Sequence, residues 1–232
     1  MASRISDIRK SVLTLALPVT VSSLLQRTEG IVAVFLVGGL GAIPIAAVGL
    51  GQLLAFIATT LVSGLSVGSN VIIAQLWGAK RQRDAGEAAR HFLGLSIAVS
   101  LILAALGMTL NHLAMDLLGA ESGVIALAIP YSTIIFLVIP FTVLLQVLSS
   151  ILQGTGDTRT PMYAMILVNL LHIAIAYPLV YGYWGLPAIG VKGAAIAVGI
   201  AEAVGVAFLW WRSRHLLQSS THLRLDLIRT MW

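Results

Sequence analysis

Six stretches of this 232-residue chain are apolar for long enough to cross a lipid bilayer: approximately residues 12–40, 45–77, 91–111, 124–152, 162–183 and 190–211. A hydrocarbon core about 30 Å thick needs about 20 helical residues, each rising about 1.5 Å. Every run meets that length. The sequence therefore predicts an all-α membrane protein of six transmembrane helices, forming one lobe over residues 12–212. Residues 1–11 precede it, and residues 213–232 read as an amphipathic tail or linker. Only 10% of the chain is charged, against about 25% in soluble domains, which argues against a soluble fold. Turn and charge signals separate the runs: Gly38-Gly39-Leu40-Gly41 with Pro44, then residues 78–90, 111–123, 153–161 and 182–192.

The first run carries Gln26, Arg27, Thr28 and Glu29 in its middle. Splitting it there would leave 12–25, only 14 residues and too short to span, so one long helix is expected, with Pro18 and Gly30 as points of bending. Glu29 then falls near mid-membrane. A charge at that depth costs at least about 2.5–3.5 kcal/mol, so Glu29 must face the protein interior or a wet cavity.

The net charge of +5 is not spread as a nucleic-acid binder's would be, because Lys and Arg cluster in short segments between the runs. With the N-terminus in the cytoplasm, the inside segments hold Arg4, Arg9, Lys10, Lys80, Arg81, Arg83, Arg90, Arg159, Arg212, Arg214, Arg224 and Arg229, twelve of the fourteen basic residues. Lys192 alone lies outside and Arg27 in the membrane, so both termini are expected to be cytoplasmic. The basic start runs straight into a full-length span and does not read as a cleaved signal. With no Cys, disulfides and thiolate metal sites are excluded.

Two enzyme-like motifs dissolve in context. Gly64-Leu65-Ser66-Val67-Gly68 fits the nucleophile elbow G-x-S-x-G, but it sits inside an apolar span instead of a strand-turn-helix. An intramembrane hydrolase would need Ser66 within hydrogen-bond reach of His172. Gly154-Thr155-Gly156-Asp157 looks like the G-x-G-D motif of intramembrane aspartyl proteases, but those need a second aspartate inside another span, one carboxylate acting as base and its partner as acid. Asp7, Asp84, Asp116 and Asp226 all lie in loops or tails, and Gly154 to Pro161 reads instead as a turn. No enzyme activity is expected. Packing signals are plainer: Gly193, Ala197, Ala201 and Gly205 make a small-residue stripe, with Gly64 and Gly68 as a shorter version.

The polar residues inside the spans are the candidates for function: Gln26, Arg27 and Glu29, Asn70 and Gln75, Gln146, Asn169 and His172, and Glu202. Asn169 and His172, three apart, share a helix face. A carboxyl group in low dielectric is a natural proton- or cation-binding group, and a wet imidazole is a candidate for proton exchange. The plainer reading of each is an interhelical hydrogen bond or ion pair, such as Arg27 with Glu202. The tail stretch Leu223-Arg224-Leu225-Asp226-Leu227-Ile228-Arg229 echoes Ile5-Ser6-Asp7-Ile8-Arg9-Lys10 ahead of the first span, the mark of a repeat whose second copy would begin where this chain stops.

Several stretches resemble the multidrug and toxin extrusion (MATE) family of secondary transporters, in its N-terminal half. They include Leu15-Ala16-Leu17-Pro18, Leu24-Leu25-Gln26, Val37-Gly38-Gly39-Leu40-Gly41, Ala46-Ala47-Val48-Gly49, Gln153-Gly154-Thr155-Gly156-Asp157-Thr158-Arg159-Thr160-Pro161 and Gly190-Val191-Lys192-Gly193-Ala194-Ala195. The resemblance implies one six-helix lobe of a twelve-helix, V-shaped antiporter that exchanges cationic or amphipathic drugs for protons or sodium, with no other cofactor. Its partners would be the bilayer, a small-molecule substrate and a second six-helix lobe or a parallel second copy, and its place the bacterial inner membrane. Rival readings are a lobe or regulatory subunit without transport of its own and a lipid-linked sugar flippase. The family's aspartates on the first and fifth helices fall at Ala33 and Ala176, so neither acidic role carries over. Glu29, one turn before Ala33 on the same face, is the expected substitute. Substrate and ion are expected to meet in a cavity between spans one, two, five and six. Glu29 and His172 would be the contacts there, supported by Gln26, Asn169 and Glu202.

Overall fold

The structure is a computed structural model that describes residues 2–185 and 187–218, with side chains from residue 14 onward apart from 215 and 218. The helices are α1 (Ala2–Val37), α2 (Ala42–Gly78), α3 (Gln82–Leu117), α4 (Ser122–Gly154), α5 (Arg159–Tyr181) and α6 (Val191–Gln218). All six are long and apolar enough to cross a membrane, as expected, and α1 runs through Pro18 and Gly30 as one helix. A 3-10 turn, Gly38–Leu40, joins α1 to α2, and Pro44 lies in the first turn of α2, where a missing N–H costs nothing.

α4 is the hub. It carries no charge between Ser122 and Gly154 and buries residues all along its length, which suits a helix surrounded by others. It packs on α2, α3 and α6, while α5 packs on α6 and α1. α1 and α2 scarcely touch each other, so a gap is left between them in front of α4. The largest core cluster, with Val62, Ile73, Leu93, Leu148, Met165 and Leu209, draws on every helix from α2 to α6.

The helices extend past the expected apolar runs: α1 starts at Ala2 and α3 continues to Leu117. α3 begins at Gln82, nine residues before its apolar run, because 82–90 is an amphipathic helix that buries Ala85, Gly86, Glu87 and Ala89. Asp84 in its first turn favours that start, and the Arg81 Nε lies 2.6 Å from its Oδ2. α6 continues past 212 to Gln218; residues 219–232, with the echoing tail, and the side chains of Arg4, Arg9 and Lys10 lie outside the described residues.

The small-residue stripe on α6 does pack. A side chain at Gly193 would meet the Leu179 backbone at 2.8 Å, Ala197 and Ala201 are fully buried, and Gly205 abuts Val168. The shorter pair does not: nothing lies within 4 Å of a side chain at Gly64, and Gly68 has only Phe92 at 3.7 Å. Asn111, expected in a loop, is inside α3 and 1% exposed; its Nδ2 donates to Ile129 O (3.2 Å) and Thr133 Oγ1 (3.1 Å), and Ser132 Oγ donates to its Oδ1 (2.8 Å). Asn111→Ala is expected to lower the unfolding free energy in mixed micelles by about 0.6–2 kcal/mol, in line with other interhelical hydrogen bonds in membranes.

Candidate functional site

Three polar stripes face one another across the gap. On α1, Ser22, Gln26 and Glu29 fall at i, i+4 and i+7; on α2, Thr59, Ser63 and Ser66 repeat that spacing; on α4, Thr142, Gln146 and Ser149 do so again. This spacing holds each set on one helix face. Together they line a cavity of about 710 Å³, to which α6 adds Glu202 and Val198 and α5 only Met165. The eleven steps from Ser22 to Ala33 rise about 16 Å, and on α1 they fall near the middle of the apolar span Thr14–Leu40.

Both intramembrane glutamates reach it. Glu29 Oε1 is buried and has no hydrogen-bond partner among the described residues. Glu202 is 3% exposed, and its Oε2 accepts a 2.6 Å bond from Thr142 Oγ1. The two carboxyl groups thus come from different helices, α1 and α6, to one cavity. Arg27 lines the same cavity but is exposed, and it makes no ion pair with Glu202. At one end, Gln52 Nε2 donates to Gly30 O across the α1–α2 gap (2.9 Å); a side chain at residue 30 would crowd the Gln52 amide, 3.0 Å from its Oε1. Tyr131 closes that end beside Gln52, its ring lodged where a side chain at Gly51 would stand.

The expected walls were spans one, two, five and six, and here the structure corrects the sequence reading: α4 replaces α5. Asn169 faces α1 instead, its Nδ2 donating to Leu25 O (3.3 Å) and Met165 O (2.9 Å). His172 is fully buried away from the cavity, with neither ring nitrogen partnered among the described residues. Of the five site candidates, then, Gln26, Glu29 and Glu202 come together, and Asn169 and His172 do not line the cavity. Sequence reasoning passed over the hydroxyl stripes of α2 and α4. Their i, i+4, i+7 spacing within apolar runs was the signal.

Neither enzyme motif is assembled. Ser66 Oγ and the His172 nitrogens have no partner, so the two are not paired, and Ser66 lies within α2. Asp157 caps α5, accepting from Thr160 N (3.0 Å) through Oδ1 and from Thr160 Oγ1 (2.6 Å) through Oδ2. Ala33, 1% exposed, borders the cavity from an apolar cluster, and Ala176, 0% exposed, packs among apolar neighbours away from it.

Residues 18–178 match the MatE family. The chain belongs to the MatE family. It is 30% identical to the probable multidrug resistance protein YoeA of Bacillus subtilis over 89% of its own length and 46% of that protein. It is also 30% identical to the probable multidrug resistance protein NorM of Thermotoga maritima, over 88% of this chain and 44% of that one. Among solved structures, a MATE protein crystallised in a bent conformation superposes with a TM-score of 0.79 at 29% identity, covering 88% of this chain and 44% of the other. The chain thus spans about half the length of the MatE relatives it matches. It is a multi-pass membrane protein with the fold of six MatE helices.

Proposed function

We propose that this MatE chain is one lobe of a secondary active transporter that exports cationic small molecules in exchange for protons or sodium, from the inner membrane of a bacterium. The observation that carries the reading is the placement of Glu29 and Glu202, on different helices, at one mid-membrane cavity with hydroxyl-rich walls. A buried carboxylate needs a cation or a proton, so binding of one species at the pair opposes binding of another. That competition is the elementary requirement of exchange, because each ligand shifts the protein toward the state that binds it better.

The test is transport by the assembled protein in proteoliposomes. An imposed proton or sodium gradient should drive uphill movement of an organic cation, and an ionophore that collapses the gradient should stop it. If neither ion drives movement, the exchange reading fails. The resemblance to the family favours a second reading, a lobe without ion coupling: it implies acidic residues at positions 33 and 176, where this chain has buried alanines. In that case the cation would equilibrate without being concentrated.

A further inference from the structure

The chemistry of the cavity wall narrows the substrate, and this step rests on the cation-transporter reading above. Nine Ser or Thr and four Gln line the cavity, against two aromatic residues. The hydroxyl protons are largely committed to each helix's own backbone: Ser22 donates to Val19 O (2.9 Å), Thr59 to Ala55 O (2.9 Å), Thr60 to Phe56 O (2.7 Å) and Ser63 to Thr60 O (2.7 Å). Thr142 gives its proton to Glu202. A hydroxyl that has spent its only proton can still accept through its remaining lone pairs. These hydroxyls of α1, α2 and α4 therefore present hydrogen-bond acceptors beside the carboxyl groups of Glu29 and Glu202. The four Gln amides both donate and accept, and Arg27, whose side chain is exposed, is the one basic residue in the lining.

Ser149 supplies an independent sign of a ligand. It is 93% buried, its Oγ has no partner among the described residues, and it lines the cavity, as does the equally unpartnered Ser66 on the facing helix. A buried polar group left without a partner costs free energy, so such hydroxyls suit an incoming polar group. Aromatic surface is scarce by contrast. The Tyr131 ring is packed at Gly51, leaving Phe56 as the aromatic face on offer. A planar lipophilic cation is held by stacking and cation–π contact, and it brings few N–H or O–H donors to satisfy these walls. We infer that the substrate is a flexible, hydrophilic amine with several N–H donors and more than one positive charge, of the polyamine class, held between Glu29 and Glu202 and hydrogen-bonded along the hydroxyl stripes of α1, α2 and α4.

The test compares spermidine with tetraphenylphosphonium, a lipophilic cation with no N–H, by calorimetric binding to the full chain in lipid nanodiscs. Spermidine is expected to bind at least about tenfold more tightly. Glu29→Gln and Glu202→Gln should each weaken it about tenfold, the cost of losing a charge-assisted hydrogen bond. Ser149→Ala, a small change that leaves the helix intact, should weaken spermidine about threefold and leave tetraphenylphosphonium alone. Tighter binding of tetraphenylphosphonium, or spermidine binding that ignores both glutamates, overturns the polyamine assignment while cation transport stands. Binding of neither cation overturns both.

Discussion

Glu29→Gln is expected to abolish ion-driven export by the assembled transporter while leaving the folded protein in the membrane. Gln has nearly the shape of Glu and keeps its place on α1, so the cavity retains its volume. Glu29 Oε1 accepts no hydrogen bond among the described residues, so the substitution breaks none at that atom. What it removes is the carboxyl group that, on the exchange reading, takes up a proton or cation in the cavity. Ala33, one turn further along the same face, is apolar and carries no carboxyl group that could take over. The measurement is gradient-driven efflux in proteoliposomes, beside the purified variant's thermal unfolding midpoint. A fall of export to the protein-free background with an unchanged midpoint is the expected pair of results. Export at the original rate would remove Glu29 from the coupling step. Glu202→Gln is the milder partner experiment, since a Gln carbonyl can still accept from Thr142 Oγ1 at the 2.6 Å position.

The second large effect is on stability. Gly193→Val should unfold α6 from α5, because the first added carbon would stand 2.8 Å from the carbonyl carbon and oxygen of Leu179. Those are backbone atoms in the last turn of α5, and they cannot swing aside as a side-chain tip can. The same carbonyl accepts from Ile189 N (3.0 Å), so moving it also disturbs the loop that leads into α6. Overpacking of this kind typically costs about 1–3 kcal/mol, and a β-branched residue against rigid backbone belongs at the upper end. Gly64→Ala is the control: nothing lies within 4 Å of the added carbon, and a helix gains from Ala in place of Gly by up to about 1 kcal/mol. The unfolding midpoint in mixed micelles should drop sharply for the first variant and hold or rise for the second. Equal midpoints would mean that the α5–α6 seam does not limit stability.

These two substitutions also mark where reading the chain works. Gly193 was found by its spacing with Ala197, Ala201 and Gly205, four small residues in register, and it packs. Gly64 and Gly68 have the same spacing but too few repeats to define a seam, and they face open space and Phe92. Glu29 was found because a charge in a span has so few tolerable surroundings. The same argument singles out His172 in the sequence. Yet imidazole can be neutral, so it can be tolerated in a dry interface, and there it is, fully buried away from the cavity. Asn169 shares its face and bonds to α1.

The chain by itself determined how many times it crosses the membrane, that α1 is one helix through its charged middle, and that its intramembrane carboxyl groups must avoid lipid. Each of these follows from lengths and transfer costs that are local to a segment. Only the tertiary structure decided that α4, with its hydroxyl and amide stripe, stands opposite α1 and α2, while α5 turns its polar face to α1. Helical periodicity tells which residues share a face of their own helix. Which faces meet depends on how side chains of distant segments interlock, and in lipid, where apolar surface gains little by leaving its solvent, that choice rests on close packing and a few hydrogen bonds.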